Sequence, residues 1–162
     1  ILLLMKEEIM NLRIQIEEKY KTSIKSKNND AINTLRLIKS AIKDKDIENR
    51  TGDNKDTIDD QQIISLLQNL IKQRKDSIES FKVANRNDLI EKETIEIEII
   101  NRFLPKQLNN KEIKILLDKF IKDNNLSSIK DMGTIMYYLK NNYPGKVDMA
   151  LAGKLAKELL GS

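Results

Sequence analysis

Apolar residues recur every three or four positions along most of this 162-residue chain. None of the long apolar-periodic runs alternates as a half-buried strand would. The pattern predicts seven helices. The first covers Met10 to Ser26. The second starts at Asp30 as its N-cap, carries Ala31, Leu35, Ile38 and Ile42 on one face, and ends by Asn49. Arg50 to Thr57, with Gly52, reads as a polar loop. The third and longest helix runs from Asp59 to Ala84, with Asp59 and Asp60 capping its start and favouring its dipole. A turn at Asn85-Arg86-Asn87 leads to a fourth from Asp88 to Phe103, stopped by Leu104-Pro105. A fifth opens at Asn109, with Glu112 placed to complete a capping box, and carries Ile113, Leu116, Leu117 and Phe120. The sixth spans Asp131 to Asn142. After the turn Tyr143-Pro144-Gly145-Lys146, the seventh starts at Asp148 with Leu151, Leu155 and Leu159 as its stripe. The expected fold is all-α: an N-terminal helical domain over residues 1–104 and a small three-helix C-terminal domain over residues 105–162.

Two of these stripes contain charges. At about 100° per residue, Ile63, Leu67, Leu70, Ile71, Ile78 and Phe81 share one face of the third helix, with Arg74 in its middle. Leu89, Ile90, Ile97, Ile100 and Leu104 share a face of the fourth, with Glu93 in its middle and Glu96 at its edge. A charge in an apolar stripe is costly unless paired. Arg74 is therefore expected to be mostly buried in a structural ion pair with Glu93 or Glu96, fixing the register of the two helices. A hairpin pivoting at Arg86 sets Arg74 nearest residues 98 and 99, so Glu93 is reached only by an offset along the helix.

Composition narrows the chemistry. Histidine, cysteine and tryptophan are absent, which removes imidazole bases, thiol nucleophiles, zinc and iron–sulfur sites and disulfides together. No metal and no cofactor are expected. Two Ser-x-x-Lys matches, Ser40 with Lys43 and Ser127 with Lys130, lack the partner motifs of a serine acyl-transfer site and are read as chance. No catalytic residue is assigned. The first four residues are apolar but acids follow at Glu7-Glu8, too short a run for a signal peptide or a membrane span. Residues 1–9 are read as an extension ahead of a start at Met5 or Met10, with a short membrane-touching anchor as the alternative. The expected compartment is the cytoplasm.

Charge is divided unevenly. From Pro105 to Ser162 there are ten lysines and six acids, leaving nineteen charges of each sign before it, so the net +4 resides on the C-terminal part. Within that part, Gly133, Tyr137 and Lys140 fall opposite the apolar side of the sixth helix, formed by Met132, Ile135, Met136 and Leu139. Lys154 and Lys157 point away from the leucine stripe of the seventh, and Lys146 sits in the turn between the two. Glycine permits close approach, tyrosine offers a stacking face and lysines meet phosphates. Gly133, Tyr137, Lys140, Lys146, Lys154 and Lys157 are the candidate RNA-binding residues. An ordinary solvated helix face is the bland alternative.

The run Lys72 to Ile78 (KQRKDSI), then Phe81, Ala84-Asn85-Arg86, Asp88-Leu89, Glu96 to Ile100 and Phe103 to Leu108 (FLPKQL) resembles the GatB/YqeY family. Leu35 to Ile42 is similar to the family's N-terminal segment, and Asp131-Met132-Gly133 with Gly145 to Asp148 to its C-terminal one. Length and layout resemble the free-standing YqeY type. The resemblance implies a helical N-terminal domain followed by three C-terminal helices. It is shared with the tail of GatB, the subunit of glutamine-dependent tRNA amidotransferase that holds and activates the tRNA-linked acid, where the tail region contacts tRNA. The activating core of GatB and the Ser-Ser-Lys amidase of its partner have no counterpart in these residues. The expected function is non-catalytic RNA binding, with tRNA as the RNA. The alternatives are an accessory factor docking on amidotransferase subunits and, by family name alone, a carbon–nitrogen ligase using glutamine as amide donor.

Overall fold

The computed structural model describes residues 11–52 and 57–161. The sequence expectations for residues 1–9, and for Met10 as the first residue of a helix, fall outside them. Among the described residues there is no β-strand, and the fold is all-α. The helices are α1 (Leu12–Lys25), α2 (Asn29–Glu48), α3 (Asp60–Val83), α4 (Asn87–Asn101), α5 (Asn110–Asp123), α6 (Met132–Asn142) and α7 (Met149–Leu159), with a 3₁₀ turn Ile129–Asp131 leading into α6. They form two compact units, Ile1–Phe103 and Leu104–Ser162.

In the first unit α2 packs on α1, α3 and α4, and the core is its buried stripe (Ala31, Leu35, Ile38 and Ile42) with Leu12 and Ile16 of α1, Ile63, Leu67 and Ile71 of α3, and Ile99 and Ile100 of α4. In the second, Ile113 and Leu117 of α5 pack with Ile135 and Leu139 of α6 and with Ala152, Leu155, Ala156 and Leu160 at α7, closed by Val147. The expected α7 stripe is corrected here. Leu159 is 40% exposed while Leu160 is buried. Four-residue steps drift around a helix by about 40° each, so a stripe of three leucines cannot stay on the contact line. Leu155 stays on it as expected, and two alanines and Leu160 complete it.

Helix ends follow local chemistry. Asp59 with Gln62 and Asn109 with Glu112 form capping boxes. The α2 cap is Asn28, whose side chain accepts from Ala31 N, in place of the expected Asp30. The start of α6 is likewise preceded by a turn capped by Ser128 with Asp131. With few glycines available, the left-handed residues closing α1, α3 and α5 are Lys27, Asn85 and Asn125. The N–H two positions after each C-cap reaches back one turn, as in Arg86 N to Phe81 O at 2.9 Å.

Candidate nucleic-acid interface

The α6–α7 pair is antiparallel. The C-terminal end of α7 (Leu160 and Gly161) shares a cleft with Ser127–Lys130 at the entry to α6. The two meet at Gly153, where an added Cβ would stand at an ordinary contact distance of 3.8 Å from the Met136 methyl. Counting around each helix from that seam, the buried residues Ile135 and Leu139 on α6, and Ala152 and Ala156 on α7, all lie to one side. To the other side, within about 40–100°, lie Gly133, Tyr137 and Lys140 on α6 and Ala150, Lys154 and Lys157 on α7. All six are exposed. The two exposed flanks thus form one outer face of the pair, with Met136 and Gly153 at its floor. At 1.5 Å per residue, Lys154 comes level with Ile135, about 3 Å along the axis from Tyr137, and Lys157 with Met132, next to Gly133.

Lys146, also exposed, lies at the Lys140 end. Its turn is tied down by the segment after Pro105. Leu108 N donates to Lys146 O at 2.8 Å, and Gln107 Nε2 donates to Gly145 O at 2.6 Å and Pro105 O at 2.9 Å. These bonds account for the Pro-Lys-Gln-Leu run structurally. Beneath the face, Tyr138 stacks on Phe120 at 4.0 Å between centroids and meets Tyr143 edge-on. A hydrogen bond with Tyr143, then burial, pushes the Tyr138 hydroxyl pKa up.

None of Lys140, Lys146, Lys154 and Lys157 pairs with a carboxylate among the described residues. The acids of this unit are largely engaged elsewhere. Glu112 and Asp131 complete capping boxes, Asp148 accepts from Ala150 N and Leu151 N, and Asp118 pairs with Lys122. Asp148 therefore fills the α7 N-terminus, where free amides would otherwise favour a phosphate, and the cationic side chains are what remains. Glu158, one turn beyond Lys154, borders the face without an ion pair. Sequence reasoning missed Lys130, exposed in the 3₁₀ turn three residues before Gly133. In the sequence it stands out only as half of a Ser-x-x-Lys pattern. A turn of helix added before Asp131 would have shown it.

The first unit holds two ion-pair clusters. Arg74 is 8% exposed; its Nε donates to Glu96 Oε2 at 2.8 Å and lies 4.0 Å from Glu93 Oε2, while Nη1 donates to Leu70 O at 3.0 Å. The hairpin pivots on Asn85, not Arg86, and Arg74 and Glu96 are each eleven residues from that pivot. That makes Glu96 the direct partner and leaves Glu93 one turn away. The second cluster was not anticipated. The Asp46 carboxylate takes both Nη atoms of Arg13 and the Ile58 N–H, joining α1, α2 and the entry to α3. The Arg13 guanidinium foremost, with the Ile58 amide, holds the Asp46 pKa below the ordinary carboxylate value. Beside it, Arg13, Glu17, Lys39, Lys43 and Asp46 rim a cleft of about 140 Å³ floored by Ile16 and Ile42. Its signal in the sequence was weak, because Arg13 and Asp46 are thirty-three residues apart on separate helices.

The family model of YqeY-like proteins matches residues 13–160. The chain belongs to the YqeY-like family. Relatives include the uncharacterized protein C22F3.15 of Schizosaccharomyces pombe, 35% identical over 63% of this chain and 79% of its own length. Another is the protein named altered inheritance of mitochondria protein 41, mitochondrial, from Pyrenophora tritici-repentis, 28% identical over 96% of this chain and 83% of that one. Its namesake from Lachancea thermotolerans is 45% identical, over 44% of this chain and 36% of its own length. Among the described residues, no helix is long and apolar enough to cross a membrane.

Proposed function

We propose that this YqeY-like chain is a non-catalytic RNA-binding protein that holds tRNA on the outer face of α6 and α7. The observation that carries the reading is the set of exposed lysines there, each without a carboxylate partner among the described residues, around an exposed tyrosine. Unpaired cations on one face supply the sequence-independent part of nucleic-acid affinity through counterion release. Relatives named as mitochondrial and a cytoplasmic reading of the sequence lead to the same partner, because tRNA is present in both compartments.

The test is binding of full-length chain to a tRNA transcript across a salt series. Each lysine meeting a phosphate steepens the salt slope by about 0.7–0.9. The combined variant Lys140→Glu, Lys154→Glu, Lys157→Glu changes only exposed positions, so it stays folded by circular dichroism. It is expected to lose retention at physiological salt and to flatten the slope by about 2–3. Equal binding by the folded variant overturns this surface.

A second reading, docking on a protein such as amidotransferase subunits, draws on the first unit. There Ile14, Ile24, Leu37 and Ile47 are each between 43% and 50% exposed along α1 and α2. Crosslinking in cells separates the two: recovery of tRNA favours the first, recovery of protein alone the second. The ligase reading rests on the family name, and no side-chain arrangement in the described residues favours it.

A further inference from the structure

We infer that the α6–α7 face takes an unpaired nucleobase on the ring of Tyr137, so that its ligand is a single-stranded RNA segment and not a duplex. This inference rests on the RNA-binding reading above. Three of the four tyrosines are engaged. Tyr20 lies under Lys39 at 4.2 Å and accepts from Arg36, while Tyr138 and Tyr143 pack together. Tyr137 is 71% exposed, and no ring, cation or hydrogen-bond partner of its side chain is found among the described residues. One turn before it stands Gly133, where an added Cβ would meet nothing within 4 Å. No side chain at that position can cover the ring from the N-terminal side.

Cations surround this open plate. Lys140 follows one turn later on α6, Lys154 lies across the Met136–Gly153 seam about 3 Å along the axis from the level of Tyr137, Lys157 lies next to the level of Gly133, and Lys130 precedes Gly133 by three residues. An aromatic face bordered by ammonium groups matches a base stacked on the ring with its own and neighbouring phosphates on the lysines. In A-form duplex the base faces are stacked inside and out of reach, leaving only backbone and groove contacts. The lysines alone would bind both forms; the ring distinguishes them.

The chain has no tryptophan, so Tyr137→Trp installs a single fluorescent reporter in the full-length protein. Titrated with a short single-stranded RNA, its emission is expected to be quenched, whereas a duplex of equal length or an abasic strand leaves it nearly unchanged. Tyr137→Leu is expected to weaken single-strand binding roughly tenfold with the salt slope kept, and Tyr137→Phe to bind like the parent. If Tyr137→Leu binds single strands as tightly as the parent and the parent shows no preference over duplex, stacking is overturned while salt-dependent RNA binding stands. If the parent binds no RNA even at low salt, both readings fall.

Discussion

Arg74 tests whether a charge placed centrally on an apolar stripe is held by partners or merely tolerated. Its guanidinium is used in two directions: Nε reaches across to Glu96 at 2.8 Å, and Nη1 reaches down its own helix to Leu70 O at 3.0 Å. Arg74→Met keeps most of the stem but removes both bonds and leaves Glu93 and Glu96 together on the seam. Loss of a partner from a buried pair typically costs about 3–5 kcal/mol. The Glu93 and Glu96 side chains here retain 21% and 19% exposure. Water can rehydrate them in part, which places the expected loss nearer 2–3 kcal/mol. Arg74→Lys should lose about half of that, since one ammonium cannot serve both acceptors in the fork geometry of arginine. The measurement is urea unfolding followed at 222 nm, with the m-value checked for constancy. The combined variant Arg74→Met, Glu93→Gln, Glu96→Gln should recover part of the loss, because it removes the stranded charges. A cost below about 1 kcal/mol for Arg74→Met, or no recovery in the combined variant, would refute the ion-pair account.

Two further outcomes follow from the bonds described. Asp46→Asn should destabilise the first unit by about 2 kcal/mol at neutral pH, through its bonds to Arg13 and Ile58. Because the Asp46 pKa is lowered on folding, its contribution is present above the unfolded value near 3.9 and lost as pH falls through the folded one. The stability gap between parent and variant should therefore be constant above about pH 5 and close below it, as read from urea midpoints against pH. Gln107→Ala should cost about 1 kcal/mol and accelerate hydrogen exchange at Leu108 N–H, which donates to the same turn; unchanged exchange would mean the turn is held without it.

What could be read from the sequence depended on range. The α2 stripe was legible because Ala31, Leu35, Ile38 and Ile42 repeat within one helix, and all four are buried. Arg74 and its acids were legible because each breaks a stripe. The pivot was not: whether Asn85 or Arg86 turns the chain depends on which residue takes the left-handed conformation, and Asn85 does, with φ of 54°. The α7 stripe was misread because alanine contributes little to a hydrophobic pattern, yet Ala152 and Ala156 are fully buried where helices come close. The Arg13–Asp46 cluster escaped because it joins separate helices with no periodic signal. On the candidate face, exposure was legible position by position. That α6 and α7 turn the same flank outward required the Met136–Gly153 contact.

The two units use similar residues to different ends. In the first, cations meet carboxylates across helices: Arg13 with Asp46, Lys39 with Glu17, and Arg74 with Glu96. The charges fix helix against helix there. In the second, three of the six carboxylates are directed at backbone amides, with Glu112, Asp131 and Asp148 each serving a cap. A cap fixes a helix end and leaves the lysines of other faces unmatched. Such a pattern weakens the bland reading of the α6–α7 face. Solvated surfaces commonly intersperse both signs, which suppresses single-sign fields. Here helical phase puts Lys140, Lys154 and Lys157 on one flank, Lys146 is exposed at the Lys140 end, Asp148 is committed to amides, and Glu158 stands at the border. Self-repulsion among like charges is a modest cost in water, and a phosphate backbone turns it into attraction. That pattern is what the RNA-binding proposal rests on: lysines left unpaired beside an uncovered aromatic ring serve no packing role that a neutral polar residue could not fill.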